Sequence, residues 1–199
     1  MVTTKIYIEG GGEGQLLDTL FRRAWSAFFG AAGFVGRMPR VVRGEGRQQA
    51  FDSFEAAVKS GRPGQVPLLL VDSEDAVAAG HGVWQHLKAR DNWERPAGAT
   101  EAQAFLMVCV METWFLADLD MLRRYFGPAL RENHIHKWPA LEDVPKPTVL
   151  SALEQATAGC RKRYAKGKVS FELLANLNPP VVETACPHAK ALLDRLRQV

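Results

Sequence analysis

Cysteine is scarce in this chain, and the cysteines present are not spaced for a metal knuckle. The 199 residues include three cysteines, Cys109, Cys160 and Cys186, with no C-x-x-C pair. An odd number of widely separated cysteines favours a reducing compartment. The sequence also lacks an apolar run near the ~20 residues that a membrane span requires, and the N-terminal MVTTKIYIEG lacks the features of a secretory signal. We therefore expect a cytoplasmic protein that does not enter a membrane.

Familiar glycine-rich phosphate-binding motifs are also absent, although glycines cluster near the N-terminus. In KIYIEGGGEGQ, the third glycine of a G-x-G-x-x-G motif would fall on Gln15 or Leu17. The chain contains neither G-x-x-x-x-G-K-[ST] nor the G-x-S-x-G of a serine nucleophile. The glycines therefore need another explanation, and so does Glu9, which lies between an apolar run and these glycines.

The basic residues are concentrated in two segments. The composition, 47% hydrophobic and 24% charged with a formal net charge of +3, is that of a globular protein with a sizeable core. One basic segment contains Arg37, Arg40, Arg43 and Arg47, and the other is RKRYAKGK at 161–168. Such clusters are usually solvated surfaces, and a nucleic-acid partner is the alternative reading.

Short apolar runs alternate with amphipathic helices in the first part of the chain. This alternation predicts an α/β fold with a parallel sheet of about four strands, flanked by helices. The long polar segment 80–100 is expected to be functional or to contain a short helix. We expect an α/β core at 1–118 and a mainly helical extension at 119–199, with strands at 6–8, 40–43, 68–71 and 105–111.

Acidic residues follow three of the predicted strands. In an open parallel sheet, ligands bind outside the carboxyl ends of the strands, so these acids should converge on one edge. Packed carboxylates repel unless a cation holds them, and oxygen ligands without cysteine or histidine select Mg²⁺ or Mn²⁺. The alternative is that the acids are helix caps and turn formers. The set comprises Glu9 after the first strand, Asp72, Glu74 and Asp75 after the third, and Glu112 with Asp118 after the fourth.

A metal site at this edge would also explain the glycines that follow Glu9. Small residues would let a phosphate and a metal approach Glu9, and the helix expected to begin near Glu13 would offer its N-terminal amides to an anion. We therefore place Gly10, Gly11 and Gly12 in substrate binding.

At this point the residues show a resemblance. A strand followed by Glu9-Gly10, and an apolar strand that ends in the acids 72–75, resemble the Toprim domain of topoisomerases, primases and OLD-type nucleases. The phrases MPRVV, LLLVDSED, HLKARDNWERPAGAT, METWFLAD and KVSFELL are similar to a bacterial domain-of-unknown-function family with a Toprim-like core, related to the RloB-like proteins of anti-phage systems.

The resemblance implies a Toprim-like sheet and metal-assisted phosphodiester chemistry. Glu9 would be the glutamate of the first strand, and Asp72 with Glu74 would replace the usual D-x-D, with Asp75 as the alternative to Glu74. Glu13 matches the second acid of the E-G-x-x-E form. OLD-type nucleases use a lysine distant from the acids, for which Lys166 is the first choice and Lys168 the alternative. Metal binding is thus predicted for Glu9, Glu13, Asp72, Glu74, Asp75 and Glu112, catalysis for Glu9, Asp72 and Lys166, and further substrate contacts for Arg43, Arg47 and Lys168.

We accordingly expect a nuclease dependent on Mg²⁺ or Mn²⁺ that cleaves DNA or RNA in bacterial defence. The resemblance implies a regulatory ATPase of the ABC-like or AAA type from the same operon, and a homo-oligomer is compatible with it. Two alternatives remain: a non-catalytic subunit that uses the fold for assembly, and an enzyme that binds nucleotides or transfers phosphate at the same edge.

Overall fold

Four parallel strands form the centre of the protein. The computed structural model describes residues 3–12 and 14–199. Within these residues the strands are β1 (Thr3–Glu9), β2 (Arg40–Gly44), β3 (Gln65–Asp72) and β4 (Ala104–Met107). They form one sheet in the order β2-β1-β3-β4, and every neighbouring pair is parallel. The expected α/β class, with a parallel sheet of four strands, is confirmed.

Helices flank the sheet and make up most of the C-terminal part. The first three are α1 (Gln15–Phe29), α2 (Arg47–Ser60) and α3 (Val83–Asp91), and α3 is the short helix that was one expectation for the segment 80–100. A short helix, α4 (Thr113–Ala117), follows β4. The expected C-terminal helices are also present: α5 (Leu119–Phe126), α6 (Lys146–Thr157), α7 (Lys168–Leu174), α8 (Pro179–Ala185) and α9 (Pro187–Arg197). In the part of the chain that the structure describes, no helix combines the length and apolarity that crossing a membrane requires.

The alternation of side chains along the strands divides the core into two layers. Successive residues of a strand point to opposite faces, so Ile6, Ile8 and Leu70 pack with α1 and the C-terminal helices, whereas Tyr7 and Leu69 pack with α2 and α3. Both faces are covered, which explains why β3 is apolar over consecutive positions.

The order of the strands creates a crevice between β1 and β3. The chain leaves β1 toward β2 through α1 on one face, and it leaves β3 toward β4 through α3 on the other face. The connections therefore diverge between β1 and β3, and the carboxyl ends of these two strands border the crevice where open α/β sheets bind ligands. Glu9 and Asp72 are the last residues of these strands.

The fourth strand is shorter than the apolar run 105–111 predicts. It ends at Met107, because the backbone turns at Val108–Val110 and Cys109 adopts a left-handed φ of 59°. The amide of Cys109 donates to Ser73 Oγ at 2.6 Å instead of continuing the sheet. The turn is as apolar and buried as a strand, which is why the periodicity does not mark it.

Candidate metal centre

Glu9 and Asp72 meet at the carboxyl ends of β1 and β3. Asp72 donates its amide to Glu9 Oε2 at 3.2 Å, and its own Oδ1 accepts the amide of Met111 at 2.9 Å. Arg47, from the start of α2, donates to Glu9 Oε2 at 3.3 Å and to the carbonyl of Asp72. Arg47 thus ties the ends of the two strands together.

Glu74 completes a cluster of three carboxylates. One oxygen from each of Glu9, Asp72 and Glu74 lies within 4.8 Å of the other two. Glu74 has a φ of 68°, a left-handed conformation that is uncommon for a residue with a side chain and that concentrates at functional sites. Of the acids expected to converge at this edge, these three lie together, and their metal binding stays a prediction.

Ser73 holds the backbone between Asp72 and Glu74. Ser73 is fully buried; its amide donates to Met107, its hydroxyl accepts the amide of Cys109, and its carbonyl is 2.9 Å from Nε2 of the buried His86. With these backbone and side-chain groups fixed, the carboxylates on either side of Ser73 are carried by a rigid segment.

The electrostatic environment of the cluster disfavours several negative charges. Burial raises the pKa of Asp72 well above its usual value, and the charges of Glu9 and Glu112 raise it further, against the opposing effect of Lys146. Burial also raises the pKa of Glu9, while Arg47 opposes this shift. A cation at the cluster would remove this repulsion, and an all-oxygen ligand set suits Mg²⁺ or Mn²⁺. These residues therefore fit a divalent metal ion.

The cluster faces a cavity of about 350 Å³. Its acidic side comprises Glu9, Asp72, Glu74 and Glu112, and the apolar wall consists of Leu17, Phe21, Met107, Met111 and Phe171. Gly10, Gly11 and Gly12 also line the cavity, and their role in substrate binding stays a prediction.

Two lysines complete the lining of the cavity. They are Lys166, which was predicted, and Lys146, whose Nζ is 2.5 Å from Glu74 Oε2. Lys168 does not line the cavity: it begins α7, its side chain is 68% exposed, and it lies 3.9 Å from Glu172. Sequence reasoning missed Lys146, because it lies 72 residues from Glu74 and no motif marks it.

The remaining predicted acids occupy different places. The side chain of Asp75 is 80% exposed and lies 3.6 Å from Arg90, so Asp75 does not belong to the cluster. Glu112 lines the cavity but is buried, and its Oε1 accepts the hydroxyls of Tyr164 at 2.7 Å and Ser170 at 3.2 Å. Asp118 caps α5 by accepting the amide of Met121, as the helix-cap alternative describes. Glu13 lies outside the described residues.

The two arginines predicted to bind substrate contact the protein itself. Arg47 forms a bidentate pair with Asp91, at 2.5 and 2.9 Å, besides its contact with Glu9. Arg43 donates to the carbonyls of Gly11 at 2.9 Å and Gly12 at 2.5 Å. The substrate role of these arginines stays a prediction, and the described contacts give them a role in shaping the site.

Gly10 has a packing reason that the sequence does not reveal. A Cβ at this position would lie 2.7 Å from Cγ of Arg43 and 3.1 Å from Cε2 of Phe21, whereas a Cβ on Gly11 would meet no atom within 4 Å. Gly10 thus lets Arg43 cross the loop closely.

Together, the fold and the site define a doubly wound parallel α/β protein with a carboxylate cluster at the point where its connections diverge. Residues 8–197 match a family model described as "Domain of unknown function (DUF4276)", and the chain belongs to this family. Comparisons with curated proteins and with solved structures gave no match.

Proposed function

We propose that the protein is a divalent-metal-dependent phosphodiesterase that acts on nucleic acid. The observation that carries this proposal is the cluster of Glu9, Asp72 and Glu74, which shares one cavity with Lys146 and Lys166. Carboxylates that hold a metal ion, together with amines that can contact a phosphate, can catalyse the hydrolysis of a phosphodiester.

The chain's own residues supply the binding and the positioning. Glu9, Asp72 and Glu74 would hold Mg²⁺ or Mn²⁺, which supplies Lewis-acid activation of the phosphate and of water when bound. Arg47 keeps Glu9 oriented through its contact with Oε2. Lys166 lines the cavity, and its ammonium would stabilise charge on the phosphate or protonate the leaving oxygen.

The surface beside the cavity supports a polyanionic substrate. The segment 161–168 reaches the cavity at Lys166 and carries exposed Arg161, Lys162 and Arg163, of which Lys162 pairs with Glu172 at 3.2 Å. Basic side chains next to an acidic, metal-binding pocket would hold the phosphates that flank the cleaved bond. This arrangement favours a nucleic acid over an isolated small phosphate ester.

We extend the proposal to the Toprim-like relationship and to bacterial defence. The parallel sheet, with a glutamate and an aspartate at the ends of adjacent strands, supports a Toprim-like site. The nuclease would act with an ABC-like or AAA-type ATPase from the same operon. Co-purification from the native operon tests this partnership, and a fully active isolated protein with no ATPase gene nearby would contradict it.

Cleavage assays with matched variants test the enzymatic proposal. Purified protein would be incubated with single-stranded DNA, plasmid DNA and tRNA, with Mg²⁺, with Mn²⁺ or with chelator. We expect metal-dependent cleavage that falls by more than roughly 10²-fold in Glu9→Gln and Asp72→Asn, since even residues behind metal ligands contribute about 10- to 100-fold. The control is Asp75→Asn, which removes an exposed acid outside the cluster and should cleave normally.

Two results would reject the enzymatic proposal. Full Mg²⁺-dependent cleavage by Glu9→Gln or Asp72→Asn would show that the cluster is not the site. Metal binding without cleavage of any substrate would favour the alternative of a non-catalytic assembly subunit.

A further inference from the structure

Lys146 contributes a positive charge beside the acidic cluster. It is the first residue of α6, and its side chain is 22% exposed, as is that of Glu74. The Nζ atom lies 2.5 Å from Glu74 Oε2, and its charge also acts on Asp72. The ammonium therefore interacts with two of the three carboxylates that approach within 4.8 Å of one another.

The ion pair between Lys146 and Glu74 is one that a divalent cation can replace. A lysine ammonium is a compact charge on a flexible stem, and a partly exposed pair contributes little free energy. A divalent cation carries twice the charge and can take an oxygen from each of Glu9, Asp72 and Glu74. The metal ion and the ammonium compete for Glu74, because two cations this close together repel each other.

We propose that Lys146 acts as a resident cation that neutralises Glu74 in the metal-free protein and leaves this carboxylate when a divalent metal binds. The pair between Lys146 and Glu74 must break when the metal binds, so Lys146 lowers the affinity of the cluster for the metal. The released ammonium stays at the cavity, where it can meet a substrate phosphate; this last step rests on the proposed function.

Calorimetric titration of Mn²⁺ into protein without nucleic acid tests the inference. We expect Lys146→Gln to bind Mn²⁺ about two- to fivefold more tightly than wild type, the range that corresponds to a partly exposed ion pair. Lys146→Arg retains the charge and should bind Mn²⁺ like wild type or more weakly. The matched control is Lys168→Gln, which removes one charge outside the cavity and should leave the affinity unchanged.

A second measurement uses the unmodified chain and does not depend on how the variants fold. The rate at which an acetylating reagent modifies Lys146, followed by mass spectrometry, should rise when Mg²⁺ is added, while the rate at Lys168 should not change.

The outcomes separate this inference from the proposed function. Equal or weaker Mn²⁺ binding by Lys146→Gln, or an acetylation rate at Lys146 that Mg²⁺ leaves unchanged while calorimetry shows binding, overturns the inference and leaves the metal site standing. Absence of Mn²⁺ binding by wild type and variants overturns both.

Discussion

Asp72 carries a carboxylate in surroundings that are unfavourable for a negative charge. Burial is the main reason that its pKa is raised, and the charges of Glu9 and Glu112 add to the effect. Its Oδ1 nevertheless accepts the amide of Met111, a hydrogen bond that an asparagine side-chain oxygen can also accept. The carboxylate of Asp72 therefore lowers the free energy of unfolding of the metal-free protein, while it raises the affinity of the site for a cation.

The variant Asp72→Asn should raise the stability of the metal-free protein, increasingly so as the pH rises. The pKa of this carboxyl group is higher in the folded protein than in the unfolded chain. Its contribution to stability is therefore fully present below the pKa of the unfolded chain and is lost as the pH rises through the pKa of the folded protein. We expect little difference in Tm from wild type near pH 4. Near pH 8 the gain should be on the order of 1 kcal/mol, roughly 2–4 °C for a chain of this size.

Thermal unfolding in the presence of chelator across this pH range provides the measurement. Added Mg²⁺ should stabilise wild type and have little effect on the variant. A variant that melts well below wild type at pH 8 would instead assign Asp72 a structural role.

Lys166 and Lys168 form a natural pair for comparison, because the first lines the cavity and the second is exposed outside it. We expect Lys166→Ala to lower the single-turnover cleavage rate by on the order of 10²-fold with little change in substrate affinity, since its ammonium would act on the reacting phosphate. Lys168→Ala, which removes a charge outside the cavity, should leave the single-turnover rate unchanged. If the rate and the affinity of Lys166→Ala both stay within about twofold of wild type, this lysine has no role in the site and belongs to a solvated loop. If the variant binds substrate more weakly and its binding depends less on salt, Lys166 contacts a phosphate.

At the scale of elements, two connections set the geometry of the site. The segment after β3 is fixed through Ser73, and the loop after β1 is fixed by Arg43, which donates to the carbonyls of Gly11 and Gly12. The guanidinium also lies over the ring of Phe21 at 5.6 Å. The glycine run is thus held by an arginine of the neighbouring strand, and Gly10 is the position where that arginine passes most closely.

The variant Gly10→Ala should therefore destabilise the protein. Its Cβ would overlap Cγ of Arg43 at 2.7 Å, and an overpacked contact costs about 1–3 kcal/mol. The control is Gly11→Ala, at which a Cβ meets open space. A lower Tm for Gly10→Ala and a nearly unchanged Tm for Gly11→Ala are expected in thermal unfolding. Equal melting temperatures for the two variants would show that Arg43 moves aside without cost.

At the scale of the whole molecule, the sequence predicts the sheet better than it predicts the site. Apolar runs and helical periodicity identify the four strands and the main helices, because each pattern reflects burial on one face or on both. The acids at the ends of β1 and β3 are predictable for the same reason, since parallel strands bring their carboxyl ends to one edge. The end of β4 at Met107 is not predictable, because the turn around Cys109 is as buried as a strand.

The features of the site that the sequence does not predict are long-range side-chain contacts. Lys146 meets Glu74 across 72 residues, and Tyr164 meets Glu112 across 52 residues. Neither contact leaves a periodic or spaced signal, because it depends on how the C-terminal helices pack against the sheet. Asp75 directly follows Glu74 but is exposed and lies 3.6 Å from Arg90 of α3, so it does not join the cluster.

The central claim, that Glu9, Asp72 and Glu74 form a divalent metal site, is tested most directly by anomalous scattering from a crystal grown with Mn²⁺. We expect a strong anomalous peak at bonding distance, roughly 2.0 to 2.3 Å, from oxygens of these three side chains. The peak should be absent from a crystal of Asp72→Asn grown in the same way. A well-ordered wild-type crystal with no peak at the cluster, or with manganese bound only elsewhere, would contradict the claim.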